Sequence, residues 1–310
     1  MAVDRNTIPL AAGPTEKIDF SESYDTSTLK GKSVLVTGGA TGIGQDAAKA
    51  FAEAGAYVTI ADINEKDAGE TVEALTSKGL KAQFIKTDVS SWEALVAAFK
   101  ATITFSPEKT VDIVVPAAGL ANGGTRRWLD DPQLNEQGDP LPVKNKVLSI
   151  NFDAVFNTTN LALYYFKQSP GTTLATKQII FVASMGGYTS MTGVLDYCSS
   201  KWGVRGLFRA LRGAGGVLGE GKPKVRCNLI APTYVKTNMT KGFWEYMEKA
   251  GVKLAEVSDC TDVILRMASD EKVNGTYNYF PCLFHQRSDW GVVLTGCRPR
   301  CLYCSAEVEL

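Results

Sequence analysis

The stretch SVLVTGGATGIGQDAAKAFAEAGAYVTIAD, Ser33–Asp62, decides the fold. Ser33–Thr37 is a short apolar run and is expected to be a buried strand. A glycine-rich turn follows, and the alanine-rich segment that begins near Ile43 and ends near Gly55 reads as a helix. Tyr57–Asp62 is the next strand. Strand, turn, helix and strand make one βαβ unit, which implies parallel pairing and a right-handed crossover.

The rhythm continues down the chain. Glu65–Gly79 is an amphipathic helix, Ala82–Asp88 a third strand and Ser90–Ile103 a third helix. Val111–Gly119 is a fourth strand, Leu120–Val143 a polar loop, and Lys144–Gln168 a helix. Gln178–Ser184 is a fifth strand, a helix starts near Leu195, and Lys224–Pro232 is a sixth strand. Gly275–Phe280 begins a seventh. The expected architecture is one doubly wound, Rossmann-type α/β domain with six to seven parallel strands and helices on both faces. Residues 1–31 read as a polar surface extension, 32–280 as the domain and 281–310 as an atypical tail. A ligand crevice is expected at the carboxyl ends of the strands.

The first such end carries TGGATGIG, Thr37–Gly44. Gly38, Gly42 and Gly44 permit a tight turn and close approach of backbone to a ligand. The helix start then offers free N–H groups and partial positive charge to a pyrophosphate. The spacing is G-x-x-x-G-x-G rather than G-x-G-x-x-G. Asp62 ends the second strand, where an acid binds the adenosine ribose hydroxyls and repels a 2′-phosphate. No Lys or Arg stands in the glycine turn to attract that phosphate, so the expected cofactor is NAD. An Asp at this place also serves as a helix N-cap.

The fifth strand ends at Ser184, and Tyr197 and Lys201 follow four apart at a helix start, on one face. A phenol titrates near pH ~10 and needs a nearby cation to act as a base closer to neutrality. Lys201 can supply that cation, Tyr197 can exchange a proton with an alcohol or ketone, and Ser184 can hydrogen-bond the same oxygen. A nicotinamide would exchange the hydride.

At this point the chain resembles the short-chain dehydrogenase/reductase family, classical type, over about Lys32–Thr240. The resemblance rests on TGGATGIG, Asp88–Val89, Asn151 in SINFDAVF, Ser184, Tyr197-x-x-x-Lys201 and NLIAPTYVKT. It implies that Tyr197 is the acid/base, Ser184 orients the substrate oxygen, Lys201 holds the nicotinamide ribose, and Asn151 holds a relay water. It implies further that Asp88 and Val89 flank the adenine, Ile43 lies beside the pyrophosphate and Thr237 contacts the carboxamide. Thr41, Ala118, Gly119, Pro232 and Val235 complete the cofactor-facing set. The layout is most similar to the hydroxyprostaglandin-dehydrogenase type of NAD-dependent alcohol dehydrogenase, seen in fungal secondary metabolism. Two positions depart from the family. Its N-N-A-G is here Pro116–Gly119, and its P-G is Pro232-Thr233.

The expected substrate is a hydrophobic secondary alcohol or ketone. Its pocket would be closed by the segment after Pro232, by Met185, Tyr188 and Met191, and by the aromatic stretch Phe243–Gly251 acting as a lid helix. The last can equally be ordinary packing. Arg126–Trp128 reads as an exposed loop that could meet an acidic or aromatic substrate. By resemblance, the helices after Lys144 and Leu195 make a homodimer or homotetramer.

Composition excludes other classes. Basic and acidic residues both number 33, so the formal net charge of zero gives no electrostatic case for nucleic acid or a membrane surface. No apolar run reaches the ~18–20 residues that span a bilayer, and the charged N-terminus lacks a signal-peptide core, so the expected location is the cytoplasm. The seven cysteines do not form a disulfide pattern. Cys297, Cys301 and Cys304 are similar in spacing to the cluster motif of radical S-adenosylmethionine enzymes, but that family places it early in a barrel. Zinc would need Cys282 or His285 as a fourth ligand. No resident metal is expected. The alternative to an active enzyme is a catalytically impaired NAD-binding protein with an aberrant C-terminus.

Overall fold

The structure, a computed structural model, describes residues 23–121, 131–142, 145–169, 176–189, 191, 193–212, 214, 217–275 and 277–279. Arg126–Trp128, the tail cysteines and His285 lie outside the described residues. Seven strands form one sheet: β1 Ser33–Thr37, β2 Tyr57–Asp62, β3 Ala82–Lys86, β4 Ile113–Pro116, β5 Lys177–Val182, β6 Val225–Ala231 and β7 Tyr277–Tyr279. Every pairing is parallel, in the order β3-β2-β1-β4-β5-β6-β7. The order reverses between β1 and β4, the switch point where such sheets open a crevice.

Alternate side chains feed two cores. Val34, Val36, Ile180 and Val182 face helices α1 (Gly42–Glu53) and α7 (Val257–Ser269), through Ala47, Phe51, Val263 and Ile264. Leu35, Ile179 and Phe181 face α3 (Trp92–Phe105), α4 (Ala154–Lys167) and α5 (Leu195–Arg212), through Phe99, Phe166 and Phe208. The period-two strand pattern thus puts every central strand between two apolar layers. The remaining helices are α2 (Glu65–Thr76) and the short α6 (Trp244–Lys249).

Three expectations are refined. The helix expected over Lys144–Gln168 is broken: a helical turn at Lys146–Leu148 and a π-turn at Ser149–Asp153 precede α4. The fourth strand is shorter than expected at both ends: it runs Ile113–Pro116, its last residue has no N–H for the ladder, and pairing with β5 covers only Ile113 and Val114. The end of the segment read as a surface extension is packed. Leu29 is buried in the core, Thr28 donates to the Ser269 carbonyl at 2.9 Å, and the Arg266 guanidinium donates to the Ser23 carbonyl. Helix α7 itself was absent from the sequence expectation; a Glu256–Asp259 capping box starts it. Among the described residues no helix is long and apolar enough to cross a membrane.

Candidate active site

A cleft of about 640 Å³ opens at the carboxyl ends of β1, β4, β5 and β6. Gly38, Thr41, Gly42, Ile43, Gly44, Asp62, Asp88, Val89, Ala118, Gly119, Ser184, Tyr197, Lys201, Pro232, Val235 and Thr237 all line it. Of the expected catalytic and cofactor-facing residues only Asn151, which is buried, does not; nor do Met185, Tyr188, Met191 and the Phe243–Gly251 stretch, which were expected to close the substrate pocket.

The glycine turn works by absence of side chains. Gly38 has φ +68°, and a Cβ there would meet the Ala118 Cα at 2.5 Å. A Cβ on Gly44 would meet the Gly38 carbonyl oxygen at 2.2 Å. Helix α1 therefore starts hard against the β1 and β4 strand ends. Asn64 and Ser91 cap α2 and α3 with their side chains, but no side chain caps α1. Its first-turn N–H groups face the cleft, an arrangement that can take a diphosphate. Asp62 is held from both sides: Ala40 N–H donates to Oδ2 at 3.0 Å and Asn64 N–H to Oδ1 at 2.9 Å. It is thus not the side-chain cap of α2, which is Asn64. Asp88 accepts from Ser90 N–H (2.9 Å) and Ser90 Oγ (2.6 Å), which hold its carboxyl below the usual range. The donors of the α1 turn and the fixed Asp62 carboxylate fit a dinucleotide.

Across the cleft, Ser184 ends the fifth strand run and caps the 3-10 turn Met185–Gly187, its Oγ accepting from Gly186 N–H at 3.1 Å. Tyr197 and Lys201 project from the first turns of α5. Lys201 is buried, and its Nζ donates to the Val182 carbonyl at 3.0 Å and lies 5.7 Å from the Tyr197 ring centroid. Burial lowers the Lys201 ammonium to about 8. It also pushes the Tyr197 phenol up, against a smaller lowering from a hydrogen bond with Ser184. The sequence led to a phenol lowered by lysine. In this geometry desolvation prevails, because the lysine is directed at the Val182 carbonyl.

Asn151 sits in the π-turn, an element frequent at functional sites. Its Oδ1 accepts from Leu120 N–H at 2.7 Å, and its Nδ2 donates to the Leu120 carbonyl at 2.8 Å and to Ser200 Oγ at 3.2 Å. The amide thereby pins the loop after β4, where the family's two asparagines are replaced by Pro116 and Ala117. Asn238–Thr240 line the cleft within the segment after Pro232 that was expected to close the pocket, while Leu120, Lys146 and Ile150 also line it and were missed from sequence. They come from loops and a broken helix that carry no periodic signal.

A glycine turn at the switch point, facing a Tyr–Lys pair and a serine in one cleft, defines the class: an oxidoreductase fold for a nicotinamide nucleotide. Known proteins agree. The family described as short chain dehydrogenase matches residues 32–248. The chain is 36% identical over 271 residues to the 5′-hydroxyaverantin dehydrogenase of Dothistroma septosporum, covering 83% of this chain and 86% of that one. It is 31% identical over 273 residues to an NADP-dependent dehydrogenase of Cochliobolus lunatus, covering 84% and 92%. A solved structure from Sinorhizobium meliloti, assigned to the short-chain alcohol dehydrogenases, superposes with a TM-score of 0.67 at 25% identity, over 82% of this chain and 96% of that one. The chain belongs to the short-chain dehydrogenase family, whose members use a nicotinamide cofactor.

Proposed function

We propose that the chain is an NAD-dependent alcohol dehydrogenase acting on a neutral, hydrophobic secondary alcohol or its ketone, of the kind found in secondary metabolism. The observation that carries this is the convergence of Ser184, Tyr197 and Lys201 on one cleft with the α1 glycine turn. The similarity to fungal dehydrogenases, two of them named for hydroxyaverantin, supports the substrate class. NAD rather than NADP rests on the fixed Asp62 carboxylate, although two relatives are named NADP-dependent.

In this reading Gly38–Gly44 hold the pyrophosphate, Asp62 the adenosine ribose, Asp88 and Val89 the adenine, and Pro232–Thr237 the nicotinamide end. When bound, the oxidised nicotinamide supplies the hydride acceptor and a positive charge near the phenol. Tyr197 takes the proton of the alcohol O–H as the carbonyl forms, and returns it in the reverse direction. Ser184 Oγ–H donates to the same substrate oxygen. Lys201 binds ribose hydroxyls and, once charged beside Tyr197, favours the phenolate. Asn151 keeps the loop after β4 in place beneath them. Residues 32–280, together with the packed residues 23–31, form the working unit. Phe156, Tyr164 and Trp202, exposed on α4 and α5, supply the contact between copies in a dimer or tetramer, which sedimentation would register. The test of function is a panel of secondary alcohols with NAD and NADP. Turnover of hydrophobic alcohols with NAD is expected, and activity on small polyols alone would overturn the substrate class.

A further inference from the structure

Beyond Thr237 the chain makes a turn whose centre is one hydroxyl. Thr240 Oγ1 accepts from Thr237 N–H at 3.2 Å and from the Trp244 indole Nε1–H at 3.0 Å, and it donates to the Val235 carbonyl. A hydroxyl has one proton and two acceptor lone pairs, which these three bonds can fill, and the Thr237 carbonyl at 3.2 Å and Thr237 Oγ1 at 3.4 Å also lie within its reach. Two of the partners, Val235 and Thr237, line the cleft. Thr237 also stands against the glycine turn, since a Cβ on Gly42 would meet its Cγ2 at 3.3 Å. The third partner, Trp244, opens helix α6, which follows the cleft-lining residues Asn238–Thr240. The far end of this excursion is tied back by the Val235–Ala255 bridge and the Lys236–Glu256 ion pair at 2.7 Å.

We propose that Thr240 and Trp244 are positioning residues for the nicotinamide nucleotide: the Thr240 hydroxyl latches helix α6 to the Val235–Thr237 wall of the cleft. The inference rests on the dehydrogenase reading above and deepens it. With the latch made, Thr237 is held over the glycine turn. With it cut, Thr237 keeps its N–H bond to the Val235 carbonyl, and its own carbonyl keeps the bond from Thr240 N–H, but it loses the side-chain link to the Trp244 indole. Cofactor affinity then depends on a tryptophan that does not itself line the cleft.

The test is NADH titration of the full chain, followed by fluorescence of the bound nucleotide. Loss of a hydrogen bond of ordinary net strength corresponds to about three- to tenfold in affinity. Thr240→Val should bind NADH about tenfold more weakly and Trp244→Phe, which keeps the ring but not the N–H, about threefold. Thr240→Ser should restore near wild-type binding. Because Trp244 acts through the hydroxyl, the double variant should be no weaker than Thr240→Val alone. Circular dichroism melts confirm folding, and if Thr240→Val does not fold, Trp244→Phe and Thr240→Ser carry the comparison. Multiplicative losses in the double variant, or Trp244→Phe binding like the wild type, overturn the latch and leave the dehydrogenase reading standing. A wild-type chain that binds neither NADH nor NADPH overturns that reading and the latch with it.

Discussion

Replacing Asp62 by Asn removes one charge from the cleft and nearly no volume. Asp62 is partly buried, and backbone N–H groups at 3.0 and 2.9 Å fix its two oxygens in place. A ribose hydroxyl hydrogen-bonded to this carboxylate would bring a 2′-phosphate to within about 4 Å of it. Two unit charges at ~4 Å repel by about 4 kcal/mol at an effective dielectric of ~20. Partial exposure and salt reduce this to about 2–3 kcal/mol, or roughly 30- to 150-fold in affinity. The NADH-to-NADPH affinity ratio should therefore fall by about that factor in Asp62→Asn, mostly through gained NADPH binding. Asn offers one acceptor oxygen, so one of the two backbone donors loses its partner, costing about 1–3 kcal/mol of stability. The ratio is insensitive to that cost. Fluorescence titrations with both reduced nucleotides measure it. Tighter wild-type binding of NADPH than of NADH, or an unchanged ratio in the variant, would refute the reasoning.

Further outcomes follow from particular contacts. Lys201 is lowered to about 8 by burial, and ribose hydroxyls that accept from its ammonium favour the charged form. NADH affinity should be flat below pH ~8 and weaken as pH rises through it, with proton uptake on binding in calorimetry; Lys201→Met should abolish the inflection. In the free protein the same lowering opposes folding below pH ~8, so this lysine's penalty should fade as pH climbs from ~8 towards ~10.5. At the opposite end of the sheet, buried Lys177 pairs with Asp112 at 2.7 Å and donates to Thr110 at 2.8 Å. Lys177→Met should cost about 3–5 kcal/mol in denaturant unfolding while leaving NADH affinity unchanged. A Cβ on Gly203 would meet the Phe152 ring at 2.7 Å, in the π-turn beside Asn151. Gly203→Ala should destabilise by about 1–3 kcal/mol by overpacking and lower turnover, seen by thermal melting and steady-state rates.

Strands β1, β2, β5 and β6 were legible because they are short apolar runs bounded by turn residues, and the structure buries them on both faces. The alternation of strand and helix implied parallel pairing, whereas the strand order is read from the structure. The cleft residues were legible for the same reason, since they stand where strands end. The break before α4 was not, because a π-turn leaves the apolar spacing nearly intact. The Asn151–Leu120 pairing joins residues 31 apart and leaves no periodic trace. Helix α7 carried a readable signal, with its capping box and Cys260, Val263, Ile264 and Met267 on one face, but it follows a run of turns that obscured its start. The Thr240 latch depends on where a turn directs a hydroxyl, which spacing alone does not give.

Tyr197→Phe bears most directly on the account. The variant keeps the ring in the cleft and removes the only group assigned to proton transfer. Wild-type protein mixed with NAD and a hydrophobic secondary alcohol should produce reduced nicotinamide, followed by its absorbance. Tyr197→Phe should produce it at least ~10³-fold more slowly while binding NADH with unchanged affinity. Full turnover in Tyr197→Phe would contradict the account.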